Sequence, residues 1–264
     1  MTAATAPVLV DRIDRTVVVT LNRPEARNAV DTAVARSVGA ALADADADPD
    51  VWCVVLTGAG DRSFCAGADL KALGRGELPI DPEHPERGFA GYVSHAVSVP
   101  TIAAVNGTAL GGGTELALAS DLVVAAEGAT FGLPEVSRGI IAAAGGALRL
   151  PEQMPRKVAM RMVLTGQPIS AEEAARWGLV NEVVPAAELR DAALALAAQI
   201  CANAPLAVQA SKRLAVGIVD GGVPAEAEAW GRNQSEVEAV AGTADAMEGI
   251  TAFVEKRVPV WQGR

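Results

Sequence analysis

The sequence predicts an α/β protein built on a largely parallel sheet. Residues 51–57 and 101–106 are continuous apolar runs of strand length, as expected of strands buried on both faces. Each run leads into a glycine-bearing turn. A third strand-like run at 121–126 follows a predicted helix at 113–120, so the order strand, turn, helix, strand recurs, and such alternation implies parallel pairing. The repetition is architectural; the sequence carries no repeat at a fixed period.

The chain opens on a predicted hairpin, 8–13 and 16–21, joined through Asp14-Arg15 and closed off by Asn22-Arg23-Pro24. Asp31 is placed to cap a helix that runs to about Ala47, where Asp48-Pro49-Asp50 stops it. Residues 73–87, rich in Gly, Pro and charge, read as a mobile surface loop, either a lid or binding element or plain disorder. A helix is expected over 86–97 and a small strand over 130–132. From Pro155 the chain turns mostly helical, with segments near 155–164, 171–177, 186–202, 205–219, 224–240 and 243–254 around one short strand at 180–184. Residues 1–202 therefore form the core. Residues 203–264 form a helical region too short to bury much alone, which should pack on the core or on another subunit.

Half of the 264 residues are hydrophobic and only 3% aromatic, so the interior must be built from Ala, Val, Leu and Ile. The net charge of −10 argues against nucleic acid as a partner. Local cations can still hold a small anion, and Arg23, Arg27 and Lys71 are candidates. Three widely spaced cysteines give no disulfide framework and no metal pattern, which fits a reducing, cytoplasmic setting. Cys65, beside a glycine turn, reads as buried filler or as a reactive thiol. The first ten residues lack a signal-peptide pattern, and no apolar run reaches membrane-spanning length. His84 and His95 have no zinc-ligand spacing and read as surface residues. No nucleophile elbow and no phosphate-binding NTPase loop is present.

The candidate chemistry sits in two glycine turns. One reads Phe64-Cys65-Ala66-Gly67-Ala68-Asp69-Leu70, the other Gly111-Gly112-Gly113-Thr114-Glu115, and Pro134-Glu135 follows. Glycine lets backbone N–H groups approach a ligand closely. Two such groups aimed at one oxygen form an oxyanion hole, and Ala68 and Gly112, each at a strand-to-helix turn, are the chosen donors. Glu115, in the first turn of its helix, is expected to be ionised and to act as general base towards water. Glu135, beside that charge, is expected to have its pKa raised and to donate a proton. An isolated glutamate in a first helical turn is usually a capping or dipole residue, and Asp69 reads first as a helix cap.

In combination these segments resemble the crotonase (enoyl-CoA hydratase/isomerase) family. The resemblance rests on Thr20-Leu21-Asn22-Arg23-Pro24 with Asn28-Ala29, on Leu56-Thr57-Gly58-Ala59-Gly60 leading into the first turn, and on Ala104-Val105-Asn106-Gly107 leading into the second. It extends to Phe131-Gly132-Leu133-Pro134-Glu135 with Gly139 and Gly145-Gly146. It implies a spiral of ββα units with a helical C-terminal region, assembled as trimers or pairs of trimers. It implies an acyl-CoA ligand, with coenzyme A carried by the substrate and no other cofactor or metal. By position, Ala68 and Gly112 match the oxyanion donors and Glu115 and Glu135 the two catalytic acids. Backbone at Ala66, Ala68, Asp69 and Leu70 would meet the adenine, with Gly111 also lining the ligand. Arg27 and Lys71 lie where the phosphates pass, and Phe253 and Lys256 approach from the C-terminal region. Within the family the pattern is most similar to the carnitinyl-CoA dehydratase branch, through Gly88-Phe89-Ala90-Gly91, the segment 176–181 and the ending 253–264. One departure is Ile141-Ala142-Ala143-Ala144, where relatives often carry Pro-Gly or Pro-Asp; a positive φ there would strain an alanine. Hydration of a 2-enoyl-CoA is the leading expectation, with double-bond isomerisation and non-catalytic acyl-CoA binding as alternatives.

Overall fold

The computed structural model describes residues 6–264; the start of the segment read for a signal peptide lies outside them. Strands β1 (Val8–Ile13) and β2 (Thr16–Leu21) form the expected antiparallel hairpin. Helix α1 (Thr32–Ala47) starts where Asp31 accepts a hydrogen bond from the Val34 N–H at 2.9 Å. Three ββ pairs follow: β3 (Cys53–Gly58) with β4 (Ser63–Cys65), β5 (Thr101–Val105) with β6 (Thr108–Leu110), and β7 (Leu122–Ala126) with β8 (Thr130–Gly132). The short α2 (Leu70–Leu73) follows β4, and α3 (Gly112–Ala119) follows β6.

Each pair divides its strands between two sheets. The large sheet runs β1-β2-β3-β5-β7-β10, ending on β10 (Glu182–Val184), and is parallel from β2 onward. The small sheet runs β4-β6-β8-β9, with β9 (Ile169–Ser170) antiparallel to β8. The chain thus winds as the spiral of ββα units that the resemblance implies, each pair adding one strand to either sheet. The small sheet decides where chemistry can occur. Because β4, β6 and β8 are parallel neighbours, the turns leaving their C-terminal ends (66–69, 111–112 and 133–135) emerge side by side, where open α/β sheets bind ligands.

The interior follows from composition. Every residue of β5 is buried, and small side chains let α1, α3 and the sheets approach closely. The opposite face of the large sheet is covered by α7 (Leu189–Cys201). Helices α4 (Gly146–Gln153), α5 (Arg156–Thr165) and α6 (Ala171–Arg176) continue the core. The C-terminal region comprises α8 (Pro205–Val216), α9 (Ala227–Ala241) and α10 (Ala244–Glu255), and it packs on the core of its own chain. Lys212 of α8 pairs with Asp121 at 2.7 Å and donates to the Val99 carbonyl at 2.9 Å. Gly249 of α10 sits against the turn that carries Glu135, where a Cβ would lie 2.1 Å from the Arg138 carbonyl oxygen.

The helix expected over 86–97 does not form. The segment makes only 3-10 turns at Pro85–Arg87 and Phe89–Gly91. Gly88 and Gly91 adopt φ of 71° and 64°, outside the right-handed helix, and Ala90 sits at 57°. The cause is a close approach to α1: a Cβ on Gly91 would lie 2.4 Å from the Ala35 carbonyl oxygen. The loop at 73–87 is tied to the same helix, through Thr32 Oγ1 to the Leu78 carbonyl at 2.7 Å and Arg36 to Glu83 at 3.3 Å. Among the described residues no single helix is long and apolar enough to cross a membrane.

Candidate active site

The first turn leaves β4 with its backbone fixed on both flanks. Ala66 N–H donates to the Arg27 carbonyl at 3.1 Å, Val30 N–H donates to the Gly67 carbonyl at 2.8 Å, and Asp69 N–H donates to the Val30 carbonyl at 2.8 Å. Between these anchors the Ala68 N–H donates no hydrogen bond among the described residues. Gly67 is at φ +89°, and a Cβ there would come within 3.2 Å of both the Gly112 nitrogen and the Leu110 carbonyl oxygen, so the two glycine turns touch.

Gly112 opens α3 and its N–H has no acceptor in the helix, as the first positions require. The ring of Phe89 packs against its Cα: a Cβ would lie 2.3 Å from Phe89 Cζ. Thr114 joins the second turn to the third, donating to the Ala109 carbonyl at 2.7 Å and accepting from Gly132 N–H at 2.9 Å. Two amides without internal partners are thus held on adjacent, rigid turns.

Two carboxylates face the same place. Glu115 is 3% exposed, and its Oε1 accepts from Gly146 N–H at 2.8 Å. Glu135 lies in the 3-10 turn Pro134–Arg138. Its Oε1 stands 2.7 Å from where a Gly111 Cβ would be, and its buried Oε2 has no hydrogen-bond partner among the described residues. Burial, and then the Glu135 charge, push the Glu115 pKa up to about 8 against the opposing pull of the Gly146 and Ala144 amides and of Arg149. Burial also raises Glu135, with its own amide and Arg138 opposing. Glu135 is thus raised as expected, but Glu115 is not the ionised carboxylate that its helix N-terminus suggested. A helix N-terminus favours a carboxylate by roughly 0.3–1 kcal/mol, which is less than the cost of ionising a fully buried one.

The remaining candidates divide. Arg23 is not available for a phosphate: it pairs with Asp31 at 3.0 Å and Asp69 at 2.8 Å and donates to the Ala29 carbonyl. Asp69 caps α2 through the Lys71 and Ala72 N–H groups. Burial raises its pKa, but Arg23 and these amides outweigh it and hold the carboxyl below its ordinary value. Arg27, Leu70 and Lys71 are exposed around the first turn. Phe253 lies under the Arg138 guanidinium at 4.5 Å, beside the third turn, and the exposed Lys256 ends α10. Cys65 is fully buried and its thiol is pushed up to about 12 by that burial, so it is filler. His95 is half-buried rather than on the surface, its pKa lowered by burial and by Arg87. Residues 142–144 show no positive φ, so the alanines there are unstrained.

Sequence reasoning missed Phe89 over Gly112, the Gly146 amide on Glu115, and Trp230 and Asn233 of α9, which reach the 143–146 turn. Only the Gly145-Gly146 pair gave a local signal. A cavity of about 800 Å³ lies behind α3, lined by Tyr92, Leu118, Arg149, Lys212 and Trp230 among others; neither Glu115 nor Glu135 lines it.

Adjacent turns at the end of a small parallel sheet, bearing open amides and two buried acids, define an enzyme-type site on a crotonase spiral. The sequence profile of the Enoyl-CoA hydratase/isomerase family matches residues 13–264. A carnitinyl-CoA dehydratase of Salmonella paratyphi A is 45% identical over 251 residues, covering 93% of this chain and 94% of that protein. The crystal structure of carnitinyl-CoA hydratase from Mycobacterium avium superposes with a TM-score of 0.97 at 59% identity, covering 99% of this chain and 100% of that one. An enoyl-CoA hydratase from Mycobacterium tuberculosis H37Rv gives 0.77 at 43% identity, covering 98% and 100%. The chain belongs to the enoyl-CoA hydratase/isomerase family, the crotonases.

Proposed function

We propose that the protein is a hydro-lyase of CoA thioesters, adding water to a 2-enoyl-CoA and eliminating it in reverse. One observation carries this reading: two carboxylates and two unpartnered amides meet at the ends of β4, β6 and β8. The Ala68 and Gly112 N–H groups hold the thioester oxygen as negative charge moves onto it, a term worth about 3–4 kcal/mol per donor in comparable holes. In elimination Glu135 takes the α-proton, the C=C bond forms, and the Cβ–O bond breaks as Glu115 protonates the departing hydroxyl, which leaves as water. In hydration the same pair runs backwards, with Glu115 as base and Glu135 as acid.

The pair needs one proton in either direction, and the resting site stores it on Glu115. That is the starting state for elimination; hydration starts from the other arrangement, reached by proton exchange. The overall equilibrium is unaffected. Isomerisation requires only one of the acids, whereas both are present and buried.

Carnitinyl-CoA and its dehydration product are the first substrates to test, since the named relatives act on that group. Coenzyme A would lie along 66–71, with Arg27 and Lys71 at its phosphates and Phe253 and Lys256 approaching from α10. Turnover is expected on following the enoyl thioester absorbance with carnitinyl-CoA or a short 3-hydroxyacyl-CoA. A folded protein inert towards every member of such a panel is not a hydro-lyase.

Assembly into trimers or paired trimers is part of the same reading. It is supported by apolar side chains left outward in the C-terminal region, including Leu206 (77% exposed), Leu214 (85%) and Val258 (83%). Light scattering should give a mass of three or six chains; a monomer at micromolar concentration would refute it.

A further inference from the structure

We propose that α9 is a clasp on the active site, with Asn233 as a positioning residue that, together with Trp230, fixes the 143–146 turn and keeps the Gly146 N–H aimed at Glu115. The inference rests on the hydro-lyase reading and gives the C-terminal helical region a catalytic task besides assembly.

Helix α9 is otherwise a surface helix. Its single buried side chain is polar, Asn233, and the Nδ2 of that residue donates to the Ala143 carbonyl at 2.8 Å, across 90 positions of sequence. A buried amide placed where a surface helix normally puts an apolar anchor is costly unless its hydrogen bond is needed. Two residues further along the turn, Gly145 takes φ +97°, and the Trp230 ring lies 3.0 Å from where its Cβ would be. Trp230 is itself held. Its Nε1 donates to Glu226 at 2.9 Å, Glu226 binds the Arg149 guanidinium at 2.8 and 3.2 Å, and that guanidinium lies 5.6 Å from the Trp230 ring and donates to the Val93 carbonyl at 2.7 Å.

The turn thus receives a hydrogen bond at one end and a ring at the other, both from α9. It then releases the first N–H of α4, which has no helical acceptor and is satisfied by Glu115. The core adds the packing of Ala144 and its amide on Glu115, and α4 begins on the Gly145 carbonyl, while the Ala143 carbonyl is held by Asn233. The charged and titratable groups that bear on Glu115 are Glu135 from the third turn, Arg149 of α4 and the Cys65 thiol of β4. Against these the Gly146 and Ala144 amides, both in this turn, favour the ionised form, so a looser turn should leave Glu115 holding its proton more tightly.

The test compares pH profiles of kcat for the wild type, Asn233→Asp, Asn233→Ala and Glu115→Gln. Aspartate has the shape of asparagine but cannot donate to the Ala143 carbonyl. Both Asn233 variants are expected to lose about 10–100-fold in kcat, as a misplaced catalytic group does, with KM little changed. The pH limb of Glu115 should move upward by roughly 0.5–1 unit as the amide contact weakens. In a Glu115→Gln background the Asn233 change should add nothing. Trp230→Phe, which loses both the Nε1 donor and the outer indole carbons that meet Gly145, should move kcat and the limb in the same direction, and it serves if an Asn233 variant does not fold. Unchanged kcat and an unmoved limb in the folded variants, or a loss of melting temperature alone, would overturn the clasp while Glu115→Gln remains inactive. Full activity in Glu115→Gln would instead overturn the hydro-lyase reading itself.

Discussion

Glu115→Gln is expected to lower turnover by about two to four orders of magnitude, the contribution of a positioned acid–base group, while making the folded protein more stable in alkali. The two effects have one origin. The carboxyl of Glu115 is buried beside Glu135, and its pKa moves from an ordinary value of 4.5 to about 8. Below pH 4.5 the folded and unfolded chains both carry the proton, and the acid imposes no penalty. Between 4.5 and 8 the unfolded chain releases the proton first and gains stability relative to the fold. Above 8 the penalty is complete and constant. Linkage sets its size at on the order of 3–5 kcal/mol. Glutamine cannot ionise and keeps an oxygen for the Gly146 N–H. For a chain of this length its melting temperature should exceed that of the wild type by roughly 5 °C or more at pH 9, with the gap closing at pH 4–5. Calorimetry of the two proteins across that range checks it. A gap independent of pH would mean that Glu115 is solvated, and the acid-storing role would fall with it.

That prediction could not have been written from sequence, and the reason is physical. The sequence located Glu115 at a helix N-terminus, and the dipole rule made it ionised; burial, the stronger effect, depends on Leu133, Gly146 and the rest of the packing. Elements governed by local signals were legible. The Asp14-Arg15 hairpin and the Asp31 cap appear as read, because a turn dipeptide and a capping carboxylate act on neighbours in the chain. Strands β4, β6 and β9 were not read as strands, since β4 and β6 run within segments dominated by glycine turns and β9 has only two residues. Yet it is β4 and β6 that set the two glycine turns side by side, the convergence expected of two turns that share one oxyanion hole. The 86–97 segment failed for the opposite reason. Its composition suits a helix, but Gly88 and Gly91 are there to bend and to approach α1. Asn233 and Trp230 lay beyond reach because nothing near them in sequence points to Ala143 or Gly145.

Two neighbouring glycines should respond to the same substitution in opposite ways. At Gly113 a Cβ would fall 2.0 Å from the Cys65 carbonyl oxygen. That atom is backbone of β4, so the overlap is relieved only by moving α3 away from the small sheet. Gly113→Ala is expected to cost about 3 kcal/mol or more and to lower the melting temperature by roughly 6 °C or more. At Gly111 the obstructing atom is Glu135 Oε1, at 2.7 Å, the free end of a side chain that can rotate away. The backbone there, at φ +56° and ψ −122°, lies outside the left-handed helical region and strains an alanine by about 1–3 kcal/mol. Gly111→Ala should therefore fold, keep most of its affinity for the CoA portion, and lose about 100-fold or more in kcat, because the displaced carboxylate no longer reaches the α-carbon. Circular dichroism melts and steady-state kinetics on the two variants separate the cases. Full turnover in Gly111→Ala would place the working position of Glu135 elsewhere, since the alanine methyl and the carboxylate oxygen cannot share the space in front of the second turn.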